Sequence, residues 1–283
     1  MTTLNTIARL CVMAGFLSLL ATPGVHASDA SGTKWFSLEG KPVPSGNAPS
    51  EQGLVRKFDA VVLGVTRTTQ PRSQGTVLLF PGGGYGILDV LNEGSRTAAG
   101  LNNLGYDVAM LEYHVGAGVK SRSLALEDAL AAWRLLRKKP KAFGVKGRRW
   151  IVMGYSAGGH LAASMVQELR ANEAPDDIVL VYPAYLEEMA ADAKTPAVQP
   201  PAHPRSRLVA IMAVDDRATW LQGARDYVQS WRKAGGAGIM YELKDGGHGF
   251  GMKPGLTGDV AQWPNILKNF LENGPKRGAG IFK

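Results

Sequence analysis

Cysteine is almost absent from this sequence. The single cysteine, Cys11, lies in an apolar run near the N-terminus. The rest of the chain therefore has no thiol that could form a disulfide, bind a metal or attack a substrate. A chain without cysteine suits an oxidising compartment, because no incorrect disulfide can form there.

Long hydrophobic runs are also lacking, apart from the one at the N-terminus. Arg9 precedes the apolar residues 10–21, and the small-x-small site Val25-His-Ala27 follows them. This order is typical of a secretory signal peptide, and the run is too short to span a membrane comfortably. We expect residues 1–27 to be removed after Ala27, the alternative being an uncleaved anchor. The mature protein would then be secreted or periplasmic, with no stable membrane insertion.

Acidic residues are fewer than basic ones: 24 Asp and Glu stand against 32 Lys and Arg, giving a formal net charge of +8. The basic residues are scattered, with short clusters only at Arg137-Lys-Lys139 and Arg148-Arg149. Such clusters are too small to follow a phosphate backbone, so we expect no nucleic-acid partner. The charge instead favours solubility and weak attraction to anionic surfaces.

Apolar runs alternate with helical segments along most of the chain. The expected strands cover residues 60–66, 76–80, 106–113, 150–153, 177–182, 208–214 and 239–243, and the expected helices cover residues 93–104, 123–139, 159–166, 219–233 and 262–272. This alternation predicts a mostly parallel sheet with helices on both faces.

Three further segments complete the expected organisation. Residues 28–53 are rich in Ser, Gly, Pro and Asn, and we expect a flexible leader in which Trp35-Phe36 is held on the surface. Residues 54–283 are expected to form one domain. Residues 184–206, rich in Pro and Ala, are expected to form a loop or small lid at the top of the sheet.

The most informative stretch runs from the strand at 150–153 through Gly154-Tyr-Ser-Ala-Gly158 into a helix. A strand, a sharp turn and a helix with Ser156 at the apex form the pattern of a nucleophile elbow. The two glycines keep side chains away from the neighbouring strand and helix. The helix N-terminus directs free N–H groups at an anion formed on the serine. The pattern predicts a nucleophilic Ser156.

A nucleophilic serine needs a base, and His248 is the histidine best placed to act as one. It follows the last expected strand in a glycine-rich turn, whereas His160 lies in the helix after the elbow, where packing or capping is the expected role. An orienting carboxylate should follow a strand between Ser156 and His248, and Asp215-Asp216 lies there. The order Ser, Asp, His is that of the α/β-hydrolase plan.

An oxyanion formed at Ser156 also needs hydrogen-bond donors. The backbone N–H of Ala157 is one candidate, and Gly82-Gly83-Gly84, which follow the strand at 76–80, are the others. Glycines allow the backbone to approach a substrate closely and to turn its N–H groups inward. A phosphate-binding loop is excluded, because no Lys-Ser/Thr pair follows the glycines. This chemistry needs neither a metal nor an organic cofactor, and we expect none.

With these residues in place, the sequence resembles α/β-hydrolase-fold esterases of the acetylxylan and feruloyl esterase (BD-FAE-like) group. The matching motifs span residues 76–251 in the family's order: Leu79-Phe-Pro-Gly-Gly-Gly-Tyr-Gly86, Asn92-Glu-Gly94, Gly105-Tyr-Asp-Val108, Leu111-Glu-Tyr113, Gly154-Tyr-Ser-Ala-Gly-Gly-His-Leu-Ala-Ala163, Asp215-Asp216 and Gly246-Gly-His-Gly-Phe-Gly251. The chain departs from the family at His114, where Arg is common. It departs again at Asp216-Arg-Ala-Thr219, where Asp-Pro-x-Val is usual.

The resemblance implies an α/β-hydrolase fold and a serine esterase. It assigns a catalytic triad and an oxyanion hole to the following residues: Ser156, Asp216 and His248, with Gly83, Gly84 and Ala157. It implies a small-molecule or carbohydrate ester as substrate, with acetyl esters of plant polysaccharide leading, and an acyl-enzyme intermediate. The alternatives are a related hydrolase of peptide or amide bonds, and a non-catalytic binding protein with this fold. The sequence does not indicate an oligomeric state.

Overall fold

A computed structural model describes residues 32–44, 49, 53–55, 60–116, 119–146, 148–187 and 197–275. The expected signal peptide and its Cys11 lie outside the described residues, as do residues 188–196 of the expected lid. Contacts between Cα atoms group Ser31–Lys283 into one compact unit. No helix within the described part of the chain has both the length and the apolar character needed to cross a membrane.

Eight strands of the described residues form one sheet, and two shorter strands form a separate ribbon. In chain order the strands are β1 (Lys34–Ser37), β2 (Leu54–Val55), β3 (Val62–Thr66), β4 (Gly75–Phe80), β5 (Leu88–Asp89), β6 (Tyr106–Glu112), β7 (Trp150–Tyr155), β8 (Asp177–Val181), β9 (Arg207–Ala213) and β10 (Ala237–Leu243). The sheet has the order β1, β3, β6, β4, β7, β8, β9, β10, and β2 pairs with β5. Strand β3 is antiparallel to both of its neighbours, while the pairs from β6 to β10 are parallel. The predicted mostly parallel sheet is confirmed.

The helices also follow the predicted order. They are α1 (Arg96–Asn103), α2 (Val119–Lys138), α3 (Ala157–Glu168), α4 (Ala218–Lys233) and α5 (Trp263–Asn273), with short 3₁₀ turns at Pro140–Phe143 and Asp259–Gln262. The helix expected over 93–104 differs at its start, because a π-helical turn, Leu91–Ser95, precedes α1. Its backbone bond runs from the N–H of Ser95 to the carbonyl of Val90. The side chain of Asp89 accepts the N–H groups of Leu91 and Asn92 as the turn begins.

The prediction of a flexible leader over residues 28–53 is wrong for β1, which pairs antiparallel with β3 at the edge of the sheet. Trp35 and Phe36 are both buried, not held on the surface. The indole of Trp35 lies over Gly64, where a β-carbon would approach it to 2.8 Å, and Phe36 packs edge-on against Phe143. Burial of two large aromatic rings offsets the entropy lost by a Ser- and Gly-rich segment.

The parallel strands bring the functional segments to one edge. Strands β4, β8 and most of β7 and β9 are buried along their length, as expected for a sheet covered on both faces. Parallel neighbours end at the same edge, and ligands bind there in sheets of this kind. The glycines after β4, Ser156 after β7, Asp216 after β9 and His248 after β10 all follow strand ends at this carboxyl edge.

The opposite, amino edge contains a buried ion cluster that we predict to matter for stability. Asp177 is fully buried and accepts hydrogen bonds from Nε of Arg149 at 2.5 Å and Nε of Arg207 at 2.6 Å. Replacing Asp177 with alanine should lower the free energy of unfolding by about 3–5 kcal/mol, because the two arginines lose the carboxylate that compensates them. Urea denaturation measures the loss.

An exposed ion pair provides the control for this prediction. Arg225 and Glu242 form a two-bonded pair at 2.7 and 2.6 Å on the protein surface. Replacing Glu242 with alanine should cost less than about 1 kcal/mol, since exposed pairs contribute little. Equal losses in the Asp177 and Glu242 variants would contradict the role given to the buried cluster.

Candidate active site

Ser156 occupies the apex of a tight turn between β7 and α3. Its backbone angles, φ 50° and ψ −119°, are ones that residues with a side chain rarely adopt. Glycine is required on both sides of the turn. A β-carbon on Gly154 would lie 2.1 Å from the carbonyl oxygen of Gly158, and one on Gly158 would lie 2.2 Å from the carbonyl oxygen of Phe80. The elbow geometry inferred from the sequence is therefore present.

A chain of hydrogen bonds connects Ser156 to two partners from distant parts of the sequence. Oγ of Ser156 lies 2.7 Å from Nε2 of His248, and Nδ1 of His248 lies 2.8 Å from Oδ2 of Asp216. The other oxygen of Asp216 accepts the N–H of Arg217 at 2.6 Å. The side chain of Asp216 is fully buried, whereas 29% of the His248 side chain is exposed. The structure thus brings the three predicted residues together in the order an acyl-transfer triad needs.

The neighbouring acid, Asp215, has a different set of partners. Its two carboxylate oxygens accept the backbone N–H groups of Gly246 at 3.3 Å and Gly247 at 2.8 Å. These glycines directly precede His248. Asp215 therefore stabilises the turn that precedes His248, while Asp216 contacts the imidazole itself.

The loop after β4, residues 81–86, lies directly against Ser156, and we call it the glycine loop. A β-carbon on Gly82 would lie 2.8 Å from Cβ of Ser156. Gly83 and Gly84 follow with φ angles of 138° and 65°. On the other side of Ser156, Ala157 begins α3, and the first N–H groups of a helix have no partner inside it. The predicted oxyanion donors therefore belong to the two segments that flank the serine.

Glu93, in the π-helical turn, is a polar neighbour of the glycine loop to which the sequence reasoning gave no role. Its Oε2 accepts the N–H of Gly82 at 2.6 Å, and its Oε1 accepts the hydroxyl of Tyr182 at 2.8 Å. The side chain is buried, with 5% exposed. The motif Asn92-Glu-Gly94 was the available signal. The direction of Glu93 depends on the wider π turn, which has no readable sequence pattern.

Burial, the largest influence, raises the pKa of Glu93 from 4.5 to about 7, against the opposing effect of its two hydrogen bonds. Between these pH values the folded protein retains a proton that the unfolded chain has released. Stability from this group should therefore be present below pH 4.5 and lost as the pH rises to about 7.

The replacement Glu93→Gln removes this titration and isolates its effect. The free energy of unfolding of the wild type, relative to that of Glu93→Gln, should fall by about 3 kcal/mol between pH 4.5 and pH 7. Chemical denaturation of both proteins across this range provides the measurement. A difference that stays constant with pH would contradict the raised pKa.

His160 contacts the glycine loop from the other side. Its Nδ1 lies 2.7 Å from the hydroxyl of Tyr85, and the two rings pack edge-on with centroids 5.7 Å apart. Burial, and then the charge of Arg122, lowers the pKa of His160 from 6.5 to about 4, so the imidazole is neutral at pH 7. The packing role expected for His160 is present. The structure adds a hydrogen bond that fixes Tyr85, a loop residue whose φ is 64°.

Aromatic side chains form a wall beside the histidine. The ring of Trp220 lies 4.6 Å from that of His248, and Tyr185 packs against Trp220 at 5.4 Å. An arginine guanidinium lies over each of these two aromatic rings. Arg217 is 4.5 Å from the centroid of Trp220, and Arg122 is 5.2 Å from the centroid of Tyr185. We call Tyr185 and Trp220 the aromatic wall. It packs two aromatic rings next to the reacting groups, each with an arginine over it.

The described residues contain no group of three or more His, Cys, Asp or Glu side chains arranged to hold a metal ion. The polar groups around Ser156 are instead the members of the hydrogen-bonded chain, the backbone of the glycine loop and Glu93. This arrangement can move a proton from a hydroxyl to an imidazole and present backbone N–H groups beside it.

A comparison with known protein families identifies the fold. A family model described as alpha/beta hydrolase fold matches residues 77–206, which include the glycine loop and the elbow. Together with the eight-stranded sheet, this match shows that the chain has the α/β-hydrolase fold. The resemblance to esterases of this fold, predicted from the motifs, is confirmed.

Parts of the chain are similar in sequence to known proteins. An acetylxylan esterase of Xylanibacter ruminicola is 31% identical over 104 residues, which cover 36% of this chain and 21% of that protein. Endo-1,4-beta-xylanase B of Butyrivibrio fibrisolvens is 29% identical over 120 residues, covering 38% and 19%. The chain thus spans about a fifth of the length of these two curated relatives. The crystal structure of MGS-M1, an alpha/beta hydrolase enzyme from a Medee basin deep-sea metagenome library, shares the fold, with a TM-score of 0.68 at 22% identity over 86% of this chain and 97% of that one.

Proposed function

We propose that this protein is a carboxylic ester hydrolase in which Ser156 is the nucleophile, His248 the general base and Asp216 the orienting acid. The observation that carries the proposal is the continuous hydrogen-bonded chain from Oγ of Ser156 through His248 to Asp216, with distances of 2.7 and 2.8 Å. Asp216 accepts the Nδ1 proton of His248, which leaves Nε2 free to take the proton of the serine hydroxyl.

The reaction follows from this arrangement in two stages. Oγ of Ser156 attacks the ester carbonyl as His248 takes its proton, and the leaving alcohol receives that proton when the C–O bond breaks. Water, activated by His248, then attacks the acyl-enzyme and releases the acid. Backbone N–H groups of Gly83, Gly84 and Ala157 stabilise the negative oxygen in both stages.

The substrate class proposed is a small acyl ester, in particular an acetyl ester, on a carbohydrate. Similarity to an acetylxylan esterase over 36% of the chain supports it. Ser156 is only 8% exposed, which favours small acyl groups at the nucleophile.

We also propose that the enzyme acts outside the cytoplasm. The support is the pattern of residues 1–27, in which a basic start, a short apolar run and a small-x-small site follow one another. Expression of the full chain in a bacterial host and sequencing of the N-terminus of the periplasmic protein should give Ser28 as the first residue. A full-length, membrane-bound product would indicate an uncleaved anchor.

Activity on paired substrates tests the reaction class. The purified protein should hydrolyse p-nitrophenyl acetate and release acetate from acetylated xylan, and it should not hydrolyse aminoacyl-arylamides. Turnover of the arylamides would favour an amide or peptide hydrolase. If a fluorophosphonate failed to label the folded protein and no ester were hydrolysed, a non-catalytic binding protein would be the better description.

A further inference from the structure

Glu93 bridges the glycine loop and an aromatic residue that touches the proposed base. One carboxylate oxygen accepts the N–H of Gly82, and the other accepts the hydroxyl of Tyr182. The ring of Tyr182 packs edge-on against His248, with centroids 5.1 Å apart. The carboxylate therefore contacts the backbone on one side of Ser156 and, through one tyrosine, the imidazole on the other.

A carboxylate at this position is costly for the fold. Glu93 is buried, and burial of a carboxyl group disfavours its charged form unless it is well paired. Its hydrogen bonds within the described part of the chain come from one backbone N–H and one tyrosine hydroxyl, not from a lysine or arginine. An apolar residue would avoid this cost but leave the N–H of Gly82 and the hydroxyl of Tyr182 without their acceptor, so the acid serves the arrangement of these two groups.

The bond to Gly82 fixes the beginning of the glycine loop. Gly82 leaves no room for a side chain, since a β-carbon there would meet Oε2 of Glu93 at 2.7 Å and Cβ of Ser156 at 2.8 Å. The next residue, Gly83, has a φ of 138° that few other residues could adopt. Backbone bonds hold the carbonyls here, since that of Gly82 accepts the N–H of Asp89 and that of Gly83 accepts those of Gly86 and Ile87. The N–H of Gly82 is held by Glu93.

We propose that Glu93 is a positioning residue for the oxyanion hole, which holds the N–H of Gly82 and thereby orients the following N–H groups of Gly83 and Gly84 toward Ser156. The inference rests on the proposed function. Glu93 does not touch the substrate. It acts before the reaction, by fixing donors where the negative oxygen will form, so that no reorganisation is needed in the transition state.

Two side-chain contacts hold other parts of the loop. The hydroxyl of Tyr113 donates to the carbonyl of Pro81 at 2.6 Å, and Tyr85 bonds to His160. Both contacts anchor the ends of the loop. Glu93 bonds to a glycine N–H between these ends, next to the residues proposed as donors.

Two substitutions test the inference with p-nitrophenyl acetate as substrate. Glu93→Ala removes both hydrogen bonds and should lower kcat by about 10- to 100-fold, a smaller loss than deletion of an oxyanion donor itself, while KM changes by less than about threefold. Glu93→Gln retains an oxygen that can accept the N–H of Gly82, so its kcat should fall between those of the wild type and the alanine variant.

Asp177→Asn provides the matched control. It alters another buried carboxylate, at the amino edge of the sheet, and should lower stability without changing kcat of the folded protein. The folded fraction of each variant is measured by circular dichroism before the kinetics. If Glu93 were merely structural, its variants would resemble this control.

The outcomes separate the inference from the function on which it rests. A folded Glu93→Ala protein with the wild-type kcat, or one whose loss lies entirely in KM, would overturn the positioning role and leave the esterase proposal intact. If the alanine variant did not fold, Glu93→Met, which has a similar length and cannot accept the N–H of Gly82, takes its place, and a wild-type kcat in that variant would have the same meaning. A wild-type protein without ester turnover would overturn the proposed function and this inference with it.

Discussion

Replacement of Ser156 with alanine should reduce ester hydrolysis by about 10⁴- to 10⁶-fold. The alanine retains Cβ and removes only Oγ, the atom that lies 2.7 Å from Nε2 of His248. No acyl-enzyme can then form, and the oxyanion donors and the binding site provide what activity remains. Because the hydroxyl is the only group lost, the free energy of unfolding should stay within about 1 kcal/mol of the wild type.

Single-turnover kinetics with p-nitrophenyl acetate and labelling by a fluorophosphonate measure this effect together. The wild type should show a burst of nitrophenol and stoichiometric labelling, and the alanine variant should show neither. Labelling that persisted in the variant would place the reactive nucleophile on another residue. Thermal unfolding of both proteins shows whether the loss is due to chemistry or to misfolding.

Asp216→Asn should lower kcat by about 10⁴-fold with little change in the fold. The carboxylate now accepts the Nδ1 proton of His248 at 2.8 Å. An asparagine amide directed at the same nitrogen donates a proton, so the imidazole adopts the other tautomer and Nε2 carries a hydrogen. A protonated Nε2 cannot accept the proton of Ser156.

Asp215→Asn supplies the comparison, because the two acids are adjacent in sequence and bonded to different groups. Asparagine at 215 can still accept the N–H of Gly247, so kcat should fall by less than about tenfold. Steady-state kinetics of the two variants with one substrate show which aspartate orients His248. A larger loss for Asp215→Asn than for Asp216→Asn would overturn the assignment of the orienting acid.

Much of the fold and the site could be predicted from local sequence patterns. The strands of the parallel sheet are nearly continuous apolar runs, because a buried strand leaves little place for polar side chains. The elbow combines a strand, two obligatory glycines and a helix within twelve residues or so, a short-range pattern by which Ser156 could be recognised. His248 and Asp216 followed from chain order at strand ends, since parallel strands bring their carboxyl ends together.

Other features depended on long-range packing. Strand β1 lies in a Ser- and Gly-rich segment, and it is held by pairing with β3 and by the contacts of Trp35 with Gly64 and of Phe36 with Phe143. The direction of Glu93 depends on a π-helical turn that begins at an aspartate-capped backbone. The bond between His160 and Tyr85 joins residues 75 positions apart. No window of neighbouring residues contains Trp35 with Gly64, or His160 with Tyr85.

The buried cluster around Asp177 has a consequence for how the protein could be modified. Strand β7 has six residues, and a strand rises about 3.3 Å per residue, so about 20 Å of backbone separates Arg149 from Ser156. Free-energy effects at sites this far apart usually add. Substitutions at the amino edge could therefore raise the free energy of unfolding without affecting the active site. The same substitutions should stabilise variants of the carboxyl edge by a similar amount, so that substrate preference could be altered in a more stable protein.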